Sequence, residues 1–184
     1  KLFFEWIAER LEISSIEDWY NIRKSDFTRQ KGWGSLSKYY KSSHYQFIFQ
    51  NTPSIQWKPW LFTQAPNGYW NSIENRKFAV ECFSEEMKIT AIDDWYSISG
   101  SDLVNHQLGG LYDYYNHNLL KMLNEIYSEV NWKFWKFSKV GNGKWKKDEN
   151  KKEYLNWFEK EMKIKSPDDW YHVKSEDFTK FYGS

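Results

Sequence analysis

Apolar residues recur at helical spacing in three stretches of the chain. Residues 75–88 carry apolar side chains at relative positions i, i+1, i+4 and i+8, which is the pattern of an amphipathic helix. Residues 1–11 and 150–162 repeat this pattern at offsets of 75 or 76 residues. The sequence therefore predicts one equivalent helix at three places.

A short segment of an acidic residue, tryptophan and tyrosine follows each predicted helix. Its tryptophan is Trp19, Trp95 or Trp170, again at offsets of 76 and 75 residues. A hydroxyl-bearing residue precedes each segment, at Ser15, Thr90 and Ser166. Because Ser, Thr and Asp are favoured at helix starts, we expect a short helix at each segment, with the aspartate capping it and the rings in the core.

Two further helices and two aromatic connectors complete the pattern. Apolar spacing predicts helices over residues 36–49 and 111–127, with Asn118 interrupting the second. The connectors, 57–62 and 132–137, both read Trp-x-x-Trp-x-Phe. We expect extended chain there, because a proline in the first connector opposes helix continuation. Their tryptophans join the predicted core: Trp57, Trp60, Trp132 and Trp135.

Comparison of the chain with itself predicts a tandem repeat. Eleven of the 12 tryptophans share a matched position with another tryptophan. The predicted copies are residues 1–62, residues 63–137 and a partial third copy, 138–184. The predicted fold is all-α, with aromatic-rich units of three to four helices joined by extended tryptophan-containing connectors. Because repeat arrays cover the faces of their units, we expect a longer native protein, further repeats or a protein partner against the third copy.

The order of these motifs resembles a known pattern. Asp-Asp-Trp-Tyr, Gly-Gly-Leu-x-x-Tyr-Tyr, a leucine-rich helix and Trp-x-x-Trp-x-Phe together resemble a tandem aromatic repeat of similar length in uncharacterised proteins of eukaryotic microbes. In helical outline the chain is also similar to helix-turn-helix-like repeats that accompany homing and restriction-type nucleases. The second resemblance implies DNA contact through the helix that starts at Leu36 or Leu111. Neither resemblance implies catalytic residues in this chain.

The composition fits an aromatic core and limits the class of protein. The 184 residues include 12 Trp, 13 Tyr and 13 Phe, and the formal net charge is +1. That balance excludes a polybasic tail or an acidic solvating chain, and no apolar run is long enough to span a membrane. With a single cysteine, Cys82, no internal disulfide can form. We therefore expect an intracellular protein, with nucleus, cytoplasm and organelles left open.

No group of residues predicts catalysis, a cofactor or a metal site. The Asp-Trp-Tyr segment occurs three times, whereas an enzyme rarely needs the same active-site group in every structural unit. The four histidines share no matched position and do not lie at metal-ligand spacing from Cys82. Cys82 stands where the other two copies have tryptophan, so we expect it in the core. The sequence thus predicts a protein that is not an enzyme, with no catalytic residues, cofactor or metal.

Charge is distributed unevenly along the chain. Residues 1–62 carry nine basic and six acidic side chains, residues 63–137 six and ten, and residues 138–184 eleven and nine. Two basic clusters supply the candidate nucleic-acid-binding residues, since lysine and arginine side chains neutralise phosphates. The first cluster is Arg23, Lys24, Arg29, Lys31, Lys38 and Lys41, and the second is Lys133, Lys136, Lys144, Lys146 and Lys147.

Aromatic residues alternate with both clusters and would stack on bases beside the phosphate contacts. These aromatic residues are Trp33, Tyr39, Trp135 and Trp145. The alternative is that lysine stems lie along aromatic rings while the ammonium groups stay in water. At the positions matched to Lys38 and Lys41 the second copy has Asp113 and Asn116. If the helix there contacts nucleic acid, the first copy does so and the second does not.

These observations predict a non-enzymatic, nucleic-acid-binding helical repeat module that forms part of a larger protein or assembly, with DNA and RNA both open. The alternative is a protein–protein interaction scaffold or structural subunit of a complex. That alternative predicts a contiguous apolar patch near Trp157, Trp170 and Phe178. The two functions differ in what they require of the surface, cations in one case and exposed rings in the other.

Overall fold

The computed structural model of the chain describes residues 2–31, 33–138 and 143–183. Within these ranges the regular secondary structure is helical and no strand occurs, which confirms the predicted all-α class. The α-helices are α1 (Leu2–Arg10), α2 (Ile16–Tyr20), α3 (Lys24–Thr28), α4 (Trp33–Leu36), α5 (His44–Asn51), α6 (Ile73–Glu86), α7 (Gly100–Asn105), α8 (Gly109–Tyr114), α9 (Leu119–Ile126), α10 (Asp148–Met162) and α11 (Ser175–Lys180). Short 3₁₀ helices span Pro59–Leu61, Tyr69–Asn71, Ile92–Ser97, Phe134–Lys136, Lys144–Lys146 and Pro167–His172.

Contacts divide the chain into two compact units. The first is Lys1–Val80 with Gln107–Leu111, and the second is Glu81–His106 with Tyr112–Ser184. The first unit contains a cluster of buried residues made of Ile7, Trp19, Phe27, Trp33, Phe47, Ile48, Trp57 and Phe62. The second unit contains a cluster made of Phe134, Trp135, Tyr154 and Phe158. Aromatic rings therefore supply most of the buried surface in both clusters.

The three amphipathic helices, α1, α6 and α10, lie where apolar spacing predicts them and end in the same way. One residue with a positive φ follows each helix: Glu12 (55°), Lys88 (56°) and Lys163 (57°). The next backbone N–H then bonds back to the helix, from Ile13 to Ala8, from Ile89 to Ser84 and from Ile164 to Glu159, at 2.8–2.9 Å. This is the Schellman type of C-cap, formed here without glycine at the left-handed position.

The aspartate before each tryptophan caps its short helix from the third helical position. Asp18 accepts the backbone N–H groups of Ser14 and Ser15, both at 2.8 Å. Asp94 and Asp169 accept the two matched N–H groups in the same way, at 2.7–2.8 Å. Because these donors favour the charged carboxylate, the pKa of Asp18 falls to about 2. Ser15 and Ser166 hold the N-cap positions as expected, but Ala91, not Thr90, holds the middle one.

The helices expected over residues 36–49 and 111–127 are each broken in two. Pairs of left-handed residues interrupt them: Lys41 and Ser42 in the first, Asn116 and His117 in the second. A new helix then begins behind a side-chain cap, because the oxygen of Ser43 or Asn118 accepts a backbone N–H of the next turn. The interruption at Asn118 is therefore confirmed, whereas the uninterrupted first helix is wrong.

The connectors are not simply extended, since each contains a 3₁₀ turn that aims its two tryptophans at different partners. Trp57 packs on Tyr20 and Phe62, whereas Trp60 packs on Tyr69, Trp70 and Phe78. In the second connector, Trp132 packs on Tyr96 and Phe137, and Trp135 on Tyr154 and Trp157. We call each Asp-Trp-Tyr segment the box, and its tyrosine fixes the connector: Tyr20 Oη accepts the N–H of Lys58 at 3.2 Å, and Tyr96 Oη accepts the N–H of Lys133 at 3.0 Å.

Candidate nucleic-acid interface

The first basic cluster is exposed throughout. Arg23 and Lys24 stand at the start of α3, Arg29 and Lys31 just beyond its end, and Lys38 and Lys41 in the turns between α4 and α5. Arg29 lies 4.0 Å from Asp26, with most of its side chain exposed. Among the described residues no carboxylate pairs with the other five cations. Five cations of the cluster are therefore available to an external anion.

A groove of about 390 Å³ lies beside two of these cations. It runs between the start of α3, the first turn of α5 and the chain after the first connector. Its lining residues are Arg23, Lys24, Ser25, His44, Tyr45, Thr63 and Gln64. We call it the first groove. The structure thus brings Arg23 and Lys24 together with residues that sequence reasoning did not select, whereas Arg29, Lys31, Lys38 and Lys41 lie outside its lining.

His44 is the buried polar residue of the first groove. It is 6% exposed, and its ring lies 3.8 Å from that of Tyr45 and 5.8 Å from that of Phe27, measured between centroids. Burial, helped by the nearby charge of Lys24, lowers the pKa of His44 to about 4, so the ring is neutral at pH 7. The described residues offer its ring nitrogens no hydrogen-bond partner.

Part of the second basic cluster is engaged within the protein. Lys133 Nζ lies 3.3 Å from Glu153 Oε1 and 5.5 Å from the centre of the Trp135 ring. Lys136 Nζ lies 5.2 Å from the centre of the Tyr96 ring. In both lysines the ammonium group itself lies over an aromatic ring, so these two cations are engaged within the protein. Lys144 is half-buried, and Lys146 and Lys147 are exposed.

The aromatic residues expected to stack on bases lie in unlike surroundings. Trp33 is 3% exposed and Trp135 is 1% exposed, so the prediction that they stack on bases is wrong. Trp145 is half-buried and packs on Phe134 and Tyr154. Tyr39 is 78% exposed and keeps a free aromatic face. Trp33 fills the core because its ring meets Phe27 and Phe47, which apolar spacing alone does not reveal.

The predicted core tryptophans can be placed in the same way. Six of them are buried, namely Trp19, Trp57, Trp60, Trp95, Trp132 and Trp135. Trp170 is half-buried. Its ring stacks beside Phe158 and Phe178 at centroid distances of 5.9 and 6.5 Å. The third Asp-Trp-Tyr segment is therefore less covered than the first two.

A second groove, of about 320 Å³, lies at the positions matched to the first. Ser99, Gly100 and Leu119 line it where the first groove has Arg23, Lys24 and His44. Its other lining residues are Ile98, Tyr112, Asn116, His117, Asn118, Leu120, Phe134, Phe137, Ser138 and Lys144. The place in the fold is the same, but the chemistry of the lining changes from cationic to largely neutral.

The other histidines described here, and the cysteine, either have a partner already or lie outside the lining of both grooves. His106 Nδ1 lies 2.8 Å from the carbonyl oxygen of Asp102, and His117 Nε2 lies 3.4 Å from Asp113 Oδ1. Cys82 is half-buried on α6. Over the described ranges, no three His, Cys, Asp or Glu side chains come together as metal ligands would.

Comparisons with known proteins return no match: no family model fits the chain, and neither a curated protein nor a solved structure is significantly similar to it. Both resemblances drawn from the motifs therefore stay predictions. In the part of the chain that the structure describes, no helix has the length and apolar character that a membrane crossing needs.

Proposed function

We propose that the chain is a non-enzymatic nucleic-acid-binding module and that its first basic cluster makes the phosphate contacts. The observation that carries the proposal is the exposure of Arg23, Lys24, Lys31, Lys38 and Lys41 without carboxylate partners among the described residues. When exposed, unpaired cations contact a phosphate backbone, they release the counterions condensed on the nucleic acid. Tyr39, which is exposed in the same stretch, offers a ring for base stacking.

The proposed interface is smaller than the sequence predicts. Lys133 already forms an ion pair and a ring contact, and Lys136 a ring contact, so we expect both to contribute little to the interface. Lys146 and Lys147 are exposed and add a secondary contact, with Lys144 at its edge. The proposed interface therefore centres on the start of α3 and the turns before α5.

The matched caps and connectors support a tandem repeat as the frame of this module. Three Schellman caps, three aspartate caps and two tyrosine-anchored connectors recur at offsets of 75 or 76 residues. In the proposed arrangement each repeat copy has the same scaffold, and individual copies carry cations where binding is needed. Such a module acts intracellularly as part of a larger protein or assembly.

Titration with oligonucleotides tests the function. Fluorescently labelled single-stranded and duplex DNA and RNA are titrated with the protein at 50 and 200 mM salt. We expect binding that weakens several-fold or more at the higher salt, since phosphate contacts are counterion-linked. Comparing the four probes separates DNA from RNA and single strands from duplexes. Absence of salt-sensitive binding to all four would contradict the proposal.

A protein-docking scaffold is the second candidate, favoured by the aromatic surface of α10, residues 167–172 and α11. Trp157, Trp170 and Phe178 are half-buried there, whereas the rings matched to the last two, Trp19, Trp95 and Phe27, are buried. Tyr171 is 88% exposed, and Tyr182 is exposed as well. An accessible group of rings of this kind is characteristic of protein interaction surfaces.

Self-association separates this candidate from nucleic-acid binding. Sedimentation of the chain with Tyr171→Ser and Tyr182→Ser, compared with the unaltered chain, reports whether the surface mediates association. Loss of association in the variant, with oligonucleotide binding unchanged, would favour docking at this surface. Unchanged sedimentation and unchanged binding would leave the surface without a role in self-association and weaken the second candidate.

A further inference from the structure

The walls of the first groove are held in place without any ligand. The hydroxyl of Tyr45 donates to the backbone carbonyl of Gln64, and Thr63 N–H donates to the carbonyl of Tyr20 at 3.1 Å. Ser43 caps α5 by accepting the N–H of Gln46 at 3.3 Å. The chain after the connector is thereby tied to both α2 and α5. A ligand would meet a preformed groove and would not have to order one.

The polar groups that line the first groove are suited to an anion. Arg23 and Lys24 are its cations, and no aspartate or glutamate is among its lining residues. The nearby carboxylate of Asp26 is already occupied, because it accepts the backbone N–H of Arg23 at 2.8 Å and lies 4.0 Å from Arg29. The side chains of Ser25, Thr63 and Gln64 add neutral donors.

His44 supplies an independent reason to expect a ligand. The His44 ring is 6% exposed and no described residue bonds its nitrogens, yet these nitrogens are not among the enclosed atoms that lack a partner, so they face the open space of the groove. A neutral imidazole carries one N–H donor, which an anionic oxygen in the groove would accept. At the matched position the second groove has Leu119, so the fold itself does not require histidine there.

We propose that the first groove seats one phosphate group of a nucleic-acid backbone, held by Arg23, Lys24 and His44. A phosphate offers several acceptor oxygens at once, which suits a guanidinium fork, an ammonium and neutral donors arranged around one space. The inference rests on the proposed nucleic-acid-binding function, because it takes the bound phosphate to be a phosphodiester of the nucleic-acid backbone. Free phosphate shares the same chemistry and serves as a separate probe.

The second groove provides matched control substitutions. His44→Leu, and the pair Arg23→Ser with Lys24→Gly, introduce residues that the chain already carries at Leu119, Ser99 and Gly100. We expect these variants to fold, since leucine suits a buried position and glycine stands at the first residue of α7. Lys160→Gln with Lys165→Gln removes two exposed cations outside both basic clusters and controls for loss of charge alone.

NMR of the histidine Hε1 and Cε1 resonances tests phosphate binding in the first groove of the unaltered chain. Inorganic phosphate is titrated against chloride at constant ionic strength, and a single-stranded oligonucleotide is titrated separately. We expect both to shift the His44 resonance and to raise its pKa, because a bound anion favours the protonated ring. We also expect His44→Leu to weaken oligonucleotide binding about tenfold to a hundredfold, since a hydrogen bond to a charged group contributes on that order.

The outcomes separate phosphate binding in the first groove from the proposed nucleic-acid-binding function. If oligonucleotide binding is salt-sensitive but the His44 resonance does not shift and His44→Leu binds as tightly as the unaltered chain, the phosphate site is overturned and the proposed function is not. A His44 shift with inorganic phosphate but no oligonucleotide binding would overturn the function and assign the groove to a different phosphate-bearing ligand. A shift with both probes, together with weaker binding by the variant, supports the proposal.

Discussion

The first and second grooves show how one local frame carries two different surfaces. Around each groove a box tyrosine accepts the N–H of a connector lysine, and an oxygen-bearing cap begins the following helix. The linings differ: Arg23, Lys24 and His44 in the first groove, Ser99, Gly100 and Leu119 in the second. Rings and caps therefore fix the frame, whereas the residues at the groove positions can vary without altering it.

Removing the box tryptophan is expected to give the largest effect and to affect both frames alike. Trp19→Ala and Trp95→Ala should each lower the free energy of unfolding by about 3–5 kcal/mol, because each leaves a large cavity in a buried cluster. Trp170→Ala should cost less, since that ring is half-buried. Urea denaturation followed by far-UV circular dichroism measures all three. A loss at Trp170 as large as at Trp95 would mean that the third segment is as tightly packed as the others.

The connector anchors are expected to contribute a smaller and equal amount. Tyr20→Phe and Tyr96→Phe each remove the oxygen that accepts a lysine backbone N–H, so we expect a loss of about 1 kcal/mol in each case. The same denaturation experiment gives both values. If only one substitution destabilises the protein, the two connectors are not equivalent in energy and the parallel between the frames fails.

The smallest expected difference between the two grooves is in the pH dependence of stability, because the first groove contains a buried histidine. The pKa of His44 is about 4 in the folded chain, against 6.5 ordinarily, so the unfolded chain binds the proton first as pH falls. The stability tied to neutral His44 is therefore complete above pH 6.5 and is lost as pH falls towards 4. Burial and the charge of Lys24 favour the neutral ring, and the charge of Asp26 opposes them.

Thermal melts at pH 7, 6, 5 and 4 check this dependence. We expect the melting temperature of His44→Leu to fall less over this range than that of the unaltered chain. Leu119→His is the reciprocal variant and should introduce a smaller acid sensitivity in the second groove, because Leu119 is half-buried whereas His44 is buried. Parallel melting curves for His44→Leu and the unaltered chain would show that His44 does not titrate as an unpaired buried ring.

Local signals were sufficient to predict much of the fold. The spacing of apolar residues locates α1, α6 and α10, and the aspartate caps and the break at Asn118 follow from residue type. The break before α5 could not be predicted, because its left-handed residues, Lys41 and Ser42, carry no glycine or asparagine signal. Two buried rings, Trp33 and Trp135, are likewise fixed by tertiary contacts.

The candidate site was predictable in its charges and not in its shape. Arg23 and Lys24 stand out as a basic pair, but the first groove also needs His44, Thr63 and Gln64, which come from distant parts of the chain. The connector turn, the bond from Thr63 N–H to the Tyr20 carbonyl and the bond from the Tyr45 hydroxyl to the Gln64 carbonyl bring these segments together. The engagement of Lys133 by Glu153, twenty residues away, is likewise a product of packing and not of local sequence.

The most direct test is to give the first frame the side chains of the second. A variant with Arg23→Ser, Lys24→Gly, Lys38→Asp and Lys41→Asn keeps the caps and anchors but loses four of the six exposed cations of the first cluster. Its affinity for a single-stranded oligonucleotide is measured by fluorescence anisotropy over a range of salt concentrations. We predict that the slope of log affinity against log salt becomes shallower by about three, since each phosphate contact on a single strand contributes about 0.7. A folded variant with the slope and affinity of the unaltered chain would contradict the account.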